Sequence, residues 1–280
     1  MPLIPRGTRR LYAFGTQPIW GLYTRERGLH ENAPIGFRYS DDDGHTWSQV
    51  RLIRPVNDPG FTGMSVMRMC QTTRGTWLIG SHEGDWSRKP LTTRQYVLRS
   101  EDQGETWTVL PGPRPGGWCV PEYGRMDEGR PIHLGGDRVL MMMRTPEGHL
   151  WASWSRDDGK TWTEPRPTAL VHPDAPPMLF HLSDGKTLAA FHHNRASQRV
   201  YEGLHGKMEG MTDRAEIWVS LSSDEGRTWT EPRFVFANAL APTLENAWWN
   251  CQCSYLDAFV DEGVRQEQVQ HAFIHARIQV

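Results

Sequence analysis

The sequence is poor in the features that mark several large protein classes. Its 280 residues hold only four cysteines, Cys70, Cys119, Cys251 and Cys253, and no C-x-x-C pair. The first two stand far from the rest and the last two would share one strand face, so neither a zinc site nor a disulfide framework is indicated. Opposite charges nearly cancel, 31 Lys and Arg against 33 Asp and Glu, for a net charge of -2. That balance removes the electrostatic argument for nucleic acid or an anionic membrane as partner. No apolar run is long enough to span a bilayer, and the opening MPLIPRGTRR lacks the apolar stretch of a secretory leader. The expectation is a cytoplasmic protein, or a secreted one if a leader has been removed. No Pro/Ser-rich linker or block of like charge interrupts the chain, so residues 1–280 are read as one domain; a hydrophobic content of 38% suffices for a full core.

What the sequence does contain is one signature written four times. Ser40-Asp41-Asp42-Asp43-Gly44-His45-Thr46-Trp47 returns as SEDQGETW at 100–107, SRDDGKTW at 155–162 and SSDEGRTW at 222–229. All four share S-x-D-x-G-x-T-W, and recurrence at this spacing marks a supersecondary unit repeated around or along an axis. A strand-like run enters each copy (IGFRYS, QYVLRS, LWASWS, IWVSLS) and a shorter extended run leaves it, so each copy is a hairpin corner. Asp42, Asp102, Asp157 and Asp224 are placed to accept hydrogen bonds within the turn. Gly44, Gly104, Gly159 and Gly226 permit a positive φ, and the closing Trp offers a plate to pin the corner. A calcium loop is the functional alternative. Only the first copy has three consecutive carboxylates, however, and no bidentate Glu follows at the spacing such a loop needs.

This signature resembles the Asp box of the sialidase, or neuraminidase, superfamily, and the likeness runs over about residues 10–260. It implies an all-β fold, a β-propeller of four-stranded antiparallel blades with four Asp-box hairpins. Six blades are expected and five to seven are compatible, with one blade built from both termini. Blade-like units fall at about 10–57, 64–111, 126–170, 176–237 and 250–280. In the first, LYAFG and IWGLYT precede PIGFRYS as the two inner strands; in the last, Asp261-Glu262-Gly263 is a hairpin turn. The polar tail after it reads equally as a closing strand, a helix or an irregular end.

In a propeller the ends of the inner strands converge, so polar residues that follow apolar runs line one wall. Here these are Arg25 in the first unit, His82 and Asp85 in the second, Arg144 in the third, and His192, His193, Asn194 and Arg195 in the fourth. Strand ends are also simply where chains become polar, which is the structural alternative. The stretch from Met126 to Arg144 resembles the sialidase segment in which a glutamate opens one strand and an arginine ends the next. The resemblance implies that Glu128 activates a nucleophile and that Arg144 grips the substrate carboxylate, a task suited to a bidentate guanidinium. A structural ion pair between the two is the bland reading. The family's nucleophilic tyrosine, in a Tyr-Ser-x-Leu context, aligns with Cys253 of Cys253-Ser254-Tyr255-Leu256, and Tyr255 shares that strand face. The family's early Arg-Ile-Pro has only Leu3-Ile4-Pro5-Arg6 near it.

Three functions follow as expectations. The first is a sialidase-like glycoside hydrolase acting on a terminal carboxylated sugar such as sialic acid, with Glu128 assisting a late-strand nucleophile, Arg144 and Arg195 holding the carboxylate and Asp85 protonating the leaving group. The second is a histidine-dependent uronate lyase or rhamnosidase-like glycosidase. There His193 or His192 is the base and Tyr201 or Tyr255 the acid, and the loop from Ala196 to Arg214 forms a lid. The third is a non-catalytic glycan-binding propeller whose rim only recognises ligands; Trp248 is expected among the substrate-binding residues, since tryptophan faces also bind sugar rings. All three name a carbohydrate as partner, require no cofactor or metal, and leave the oligomeric state open.

Overall fold

In a computed structural model of the protein the described residues are 2–17, 32–85, 87–88, 91–196, 214–237 and 253, with strand backbones at 257–261, 264–269 and 272–278. The described residues form β-sheets and no α-helix. The first sheet joins β1 (Pro2–Leu3), β2 (Leu11–Thr16), β3 (Ile35–Ser40) and β4 (Arg51–Leu52) in chain order. The second joins β5 (Ser65–Gln71), β6 (Trp77–Asp85), β7 (Thr92–Ser100) and β8 (Thr108–Leu110). A third holds β9 (Asp127–Gly135), β10 (Arg138–Arg144), β11 (His149–Ser155) and β12 (Arg166–Val171). A fourth holds β13 (Met178–His181), β14 (Leu188–His192), β15 (Glu216–Ser222) and β16 (Arg233–Ala237). The last has three strands, β17 (Asp257–Asp261), β18 (Val264–Val269) and β19 (Ala272–Ile278).

Two expectations about the ends change. LYAFG is the second strand of its sheet, because Pro2 and Leu3 pair with Ala13 and Tyr12 outside it, and β2 pairs directly with β3. IWGLYT lies outside the described residues. The polar tail supplies β18 and β19, and β17 and β18 close on the Asp261↔Val264 pair across the expected turn. No described sheet mixes strands from both termini. β18 is polar at four successive positions, Arg265 to Gln268, and still pairs as a strand, since the backbone ladder needs no apolar side chain.

The chain divides into two compact units, Met1–Met141 with Ser153–Pro165, and Met142–Ala152 with Arg166–Val280. In the first, Trp77 is fully buried and meets Tyr12 and Phe14 edge-on, with ring centroids 5.0 and 6.0 Å apart. Period-two alternation sends Trp77 and Ile79 of β6 into this aromatic cluster, while Leu78 lies against Gly159. Each such large side chain contributes about 1.5–3 kcal/mol through burial. The second unit packs Met178, Phe180, Ala189, Phe191, Ile217 and Cys253 together.

The four signatures fold alike. In every copy the Ser hydroxyl donates to the Asp carboxylate at 2.7–2.9 Å and accepts the Gly N–H at 2.8–2.9 Å. The same Asp takes the Thr N–H at 2.8–2.9 Å and the Thr hydroxyl at 2.6 Å. Thr46 and Ser40 thereby hold the Asp42 carboxyl down to about 2. Two successive residues are left-handed, the Gly and the residue before it: Asp43, Gln103, Asp158 and Glu225 have φ of 56–66°. The sequence alone indicated only the Gly.

Candidate functional site

In the first unit, β6 begins as the apolar run Trp77-Leu78-Ile79 and turns polar from Ser81 to Asp85. β9 runs beside it at close quarters: a Cβ on Gly80 would stand 1.8 Å from the Gly129 carbonyl oxygen, so only glycine fits. Fully buried Gln95 locks this approach. Its amide donates to the carbonyls of Ser81 and Tyr96 at 2.7 and 2.6 Å, and its oxygen accepts the Gly129 N–H at 2.7 Å.

This brings Glu128 to His82. The Nδ1 of His82, itself 5% exposed, lies 3.2 Å from the Ser65 hydroxyl and accepts the Glu128 N–H at 3.4 Å. With both neighbours donating, the ring proton belongs on Nε2. Glu128 is buried, at 8% exposure, and has a φ of +49°. Apart from the four signature turns, Glu128 and Asn194 are the non-glycine residues at positive φ among the described residues. Such backbone costs of order 1–3 kcal/mol and persists where surrounding bonds over-determine it. On one side of Glu128, Asp127 accepts from Arg125 and Thr93 at 2.9 Å each; on the other, Gly129 is held by Gln95. The carboxyl at the opening of β9 thus hangs from a backbone fixed on both sides.

In the second unit, Arg144 ends β10 and is held by Asp174 in a bidentate pair, at 2.6 and 2.9 Å, with both side chains only about a tenth exposed. Arg214 donates to the Asp174 carbonyl. His172 and His193 stack with centroids 4.9 Å apart, and His172 Nδ1 accepts the His193 N–H at 3.3 Å. His193 Nδ1 donates to the Glu216 carbonyl at 2.6 Å. His192 places Nδ1 3.1 Å from the Val171 carbonyl and Nε2 3.0 Å from the Ser220 hydroxyl. Both His192 and His193 are fully buried. Burial drives His193 down to about 3, and His192 and His172 are lowered by the same cause.

Measured against the sequence reading, the structure brings His82 and Glu128 together. It shows the Arg144 guanidinium edge engaged with Asp174 rather than open to a ligand. It redirects His192 and His193, expected on an accessible rim, into the interior, where the cost of burying charge makes them weak bases. Asp85 ends β6 as expected and is exposed, but hydrogen bonds from Ser87 lower its carboxyl, whereas a proton donor at neutral pH needs the opposite shift. Arg195 is half-exposed and touches Glu216 at 3.2 Å. Asn194 follows β14 at a φ of +50°. Arg25, Tyr201, Trp248 and Tyr255 lie outside the described residues, as does most of the expected lid. Asp174, Arg214, His172 and Gln95 were missed. Gly80 and Gly129 were a readable hint of close strand approach, whereas nothing in the sequence singles out Asp174 as the partner of an arginine 30 positions away.

Residues 11–265 match the family described as BNR repeat-like domain. None of the curated proteins matches the sequence. Among solved structures, the Hadza microbial sialidase Hz136 is similar with a TM-score of 0.55 and 20% identity, over 82% of this chain and 43% of that one. The NanB sialidase from Streptococcus pneumoniae, in a mutant form, gives 0.51 and 15% over 86% of this chain and 33% of its own. The α-L-arabinofuranosidase arb93a from Fusarium graminearum, also a mutant and in complex with an iminosugar inhibitor, gives 0.56 and 14% over 85% of this chain and 66% of its own. The chain therefore spans less than half the length of the sialidases it resembles, and at these identities the likeness is one of fold.

Proposed function

The chain belongs to the BNR repeat-like family, and on that premise we propose that it is a sialidase-like glycoside hydrolase removing a terminal carboxylated sugar, such as sialic acid, from a glycan. The observation that carries this reading is buried Glu128 at the opening of β9, on a left-handed backbone whose own N–H is held by His82 and whose neighbours Asp127 and Gly129 are held by Arg125, Thr93 and Gln95. In this proposal Glu128 takes the proton of the nucleophile as its oxygen attacks the anomeric carbon, the glycosidic C–O bond breaks, and water later releases the sugar from the covalent intermediate. Tyr255 is the nucleophile assigned. Asp85 delivers the proton to the leaving oxygen once substrate displaces the Ser87 hydrogen bonds. Arg195, whose contact with Glu216 uses one nitrogen, and Arg144, paired with Asp174, are the residues assigned to the substrate carboxylate. We read the sheets as propeller blades, and a ring of six would need one sheet beyond the five described.

The test is release of sialic acid from sialyllactose by the wild type and by Glu128→Gln. Loss of the carboxylate base is expected to lower kcat by about 10²–10⁴-fold. Full activity in Glu128→Gln would overturn the assignment, and silence of the wild type would overturn the hydrolysis. An α-L-arabinofuranoside belongs in the same screen, because one protein of similar fold is an arabinofuranosidase. A second reading, a glycan-binding module without turnover, is favoured by one feature: Cys253, aligned with the family's tyrosine, is 1% exposed and its thiol is 3.4 Å from the Ala215 carbonyl. The buried, neutral histidines weigh against elimination.

A further inference from the structure

Beyond the strand ends that carry Glu128, the first unit contains a cavity of about 680 Å³ at the far end of β6 and the start of β7. Its walls include Glu83, Asp85, Arg88, Thr92 and Arg94, with Asn32 closing one side. Asn32 is fixed there by two hydrogen bonds to Gly84, each 2.8 Å, one donated and one accepted by its amide. The volume falls in the range of about 300–1,000 Å³ usual for small-molecule sites.

The wall chemistry narrows the ligand. Glu83 and Arg94 stand directly opposite each other in the β6–β7 register, yet they form no ion pair. Glu83 is turned toward Tyr96, whose hydroxyl donates at 3.4 Å, and toward Arg114 Nη1 at 3.9 Å. Both contacts are long beside the 2.7–2.9 Å or so of a charge-assisted hydrogen bond. Arg114 is itself committed to Asp58 through a bidentate pair at 2.8 and 3.0 Å. Arg94 spends one N–H on the Gly117 carbonyl at 3.0 Å. Facing strand positions therefore present an acceptor with unused lone pairs and a donor fork with unused N–H groups, each tied back by its own neighbour. The charges on the wall balance, two carboxylates against two guanidinium groups. An anion entering would meet Glu83 and Asp85, and a cation would meet Arg88 and Arg94. A neutral molecule with adjacent hydroxyls, each both donor and acceptor, uses both sets at once.

We infer that this cavity is a binding site for a neutral, hydroxyl-rich ligand, a neutral sugar unit, with Glu83 accepting from and Arg94 donating to neighbouring hydroxyls. The site shares with the proposed hydrolysis the carbohydrate class of ligand and one wall residue, Asp85, and it involves no bond making or breaking.

Saturation-transfer NMR and calorimetry with lactose test it, using glucose, glucuronate and glucosamine as neutral, anionic and cationic monosaccharide probes matched in size to one another. The wild type is expected to bind lactose, and to bind glucose at least tenfold tighter than either charged sugar. Glu83→Gln and Arg94→Met are each expected to weaken lactose at least tenfold, and Thr92→Trp, which fills the cavity from a half-buried position, to abolish binding. Thermal unfolding verifies that each variant folds, and any one folded variant decides the point. Absence of lactose binding, preference for a charged sugar, or equal lactose affinity in the folded variants would overturn the inference. Hydrolysis of a methylumbelliferyl sialoside, measured in parallel, separates the two proposals. Lactose binding without hydrolysis sinks the enzyme reading alone, and hydrolysis without lactose binding sinks the cavity alone.

Discussion

Asp43 and Asp158 occupy the same position of the same turn and should respond very differently to alanine. Both are left-handed, with φ of 56° and 64°, so the strain of placing alanine there cancels in the comparison. Their surroundings do not cancel. Asp43 is exposed and, among the described residues, approaches Arg9, 3.5 Å away, with side chains 74% and 89% exposed. Such a pair contributes about 0–1 kcal/mol. Asp158 is 3% exposed, accepts from the Thr76 hydroxyl, and lies 3.2 Å from Arg99 Nη2, whose side chain is 9% exposed. Removing one member of a buried pair costs about 3–5 kcal/mol, because the other charge stays behind without its partner. Arg99 keeps Glu101 at 2.6 Å and the carbonyl of residue 158 at 2.9 Å, which puts the expected loss at the low end, about 3 kcal/mol. With the 0–1 kcal/mol lost at Asp43 subtracted, the difference is about 2–3 kcal/mol, and at about 2–4 °C per kcal/mol Asp158→Ala should melt roughly 4–12 °C below Asp43→Ala. Thermal unfolding followed by circular dichroism measures this difference. An Arg99→Ala cycle should return a coupling of about 1 kcal/mol or more between residues 99 and 158. Equal melting temperatures for the two alanine variants would refute the claim that burial, rather than the turn, sets the worth of this position.

Two further outcomes are expected. His193 is neutral in the fold, its pKa lowered by burial from 6.5 to about 3, while the unfolded chain takes up a proton at the higher value. The unfolded state then binds more protons in that window, so the His193 contribution is complete above about pH 6.5 and declines as pH falls toward 3. Melting temperature against pH should therefore slope less in His193→Gln, and an unchanged slope would show that the ring is not the titrating group. Gly80→Ala drives a methyl group into the Gly129 carbonyl and should cost about 3 kcal/mol or more, whereas Gly15→Ala, with no atom within 4 Å of the new Cβ, should melt near the wild type in the same assay.

Local chemistry made the corners and most of the strands legible. Each signature satisfies its hydrogen bonds within eight residues, so its conformation is written in its own sequence. The second, third and fourth sheets follow because apolar runs such as Tyr96-Val97-Leu98 of β7 lead into those corners from buried strands. The first sheet was harder to read, since two residues, Pro2 and Leu3, are too short a strand to carry a period. The tail was harder still, because β18 is polar at Arg265 to Gln268 and only ladder pairing identifies it as a strand.

The candidate site divides along the same line. That Glu128 opens a strand, and that polar residues follow the apolar run of β6, could be read along the chain. Only the tertiary structure decided that Glu128 sits on a left-handed backbone beside His82, that Arg144 is committed to Asp174, and that His192 and His193 are interior. It likewise decided that one of four equivalent turn residues, Asp158, is a buried anchor while Asp43 faces solvent. Hydrogen bonds within a turn depend on neighbours in sequence. Burial and the choice of a charged partner depend on which strands the fold sets side by side.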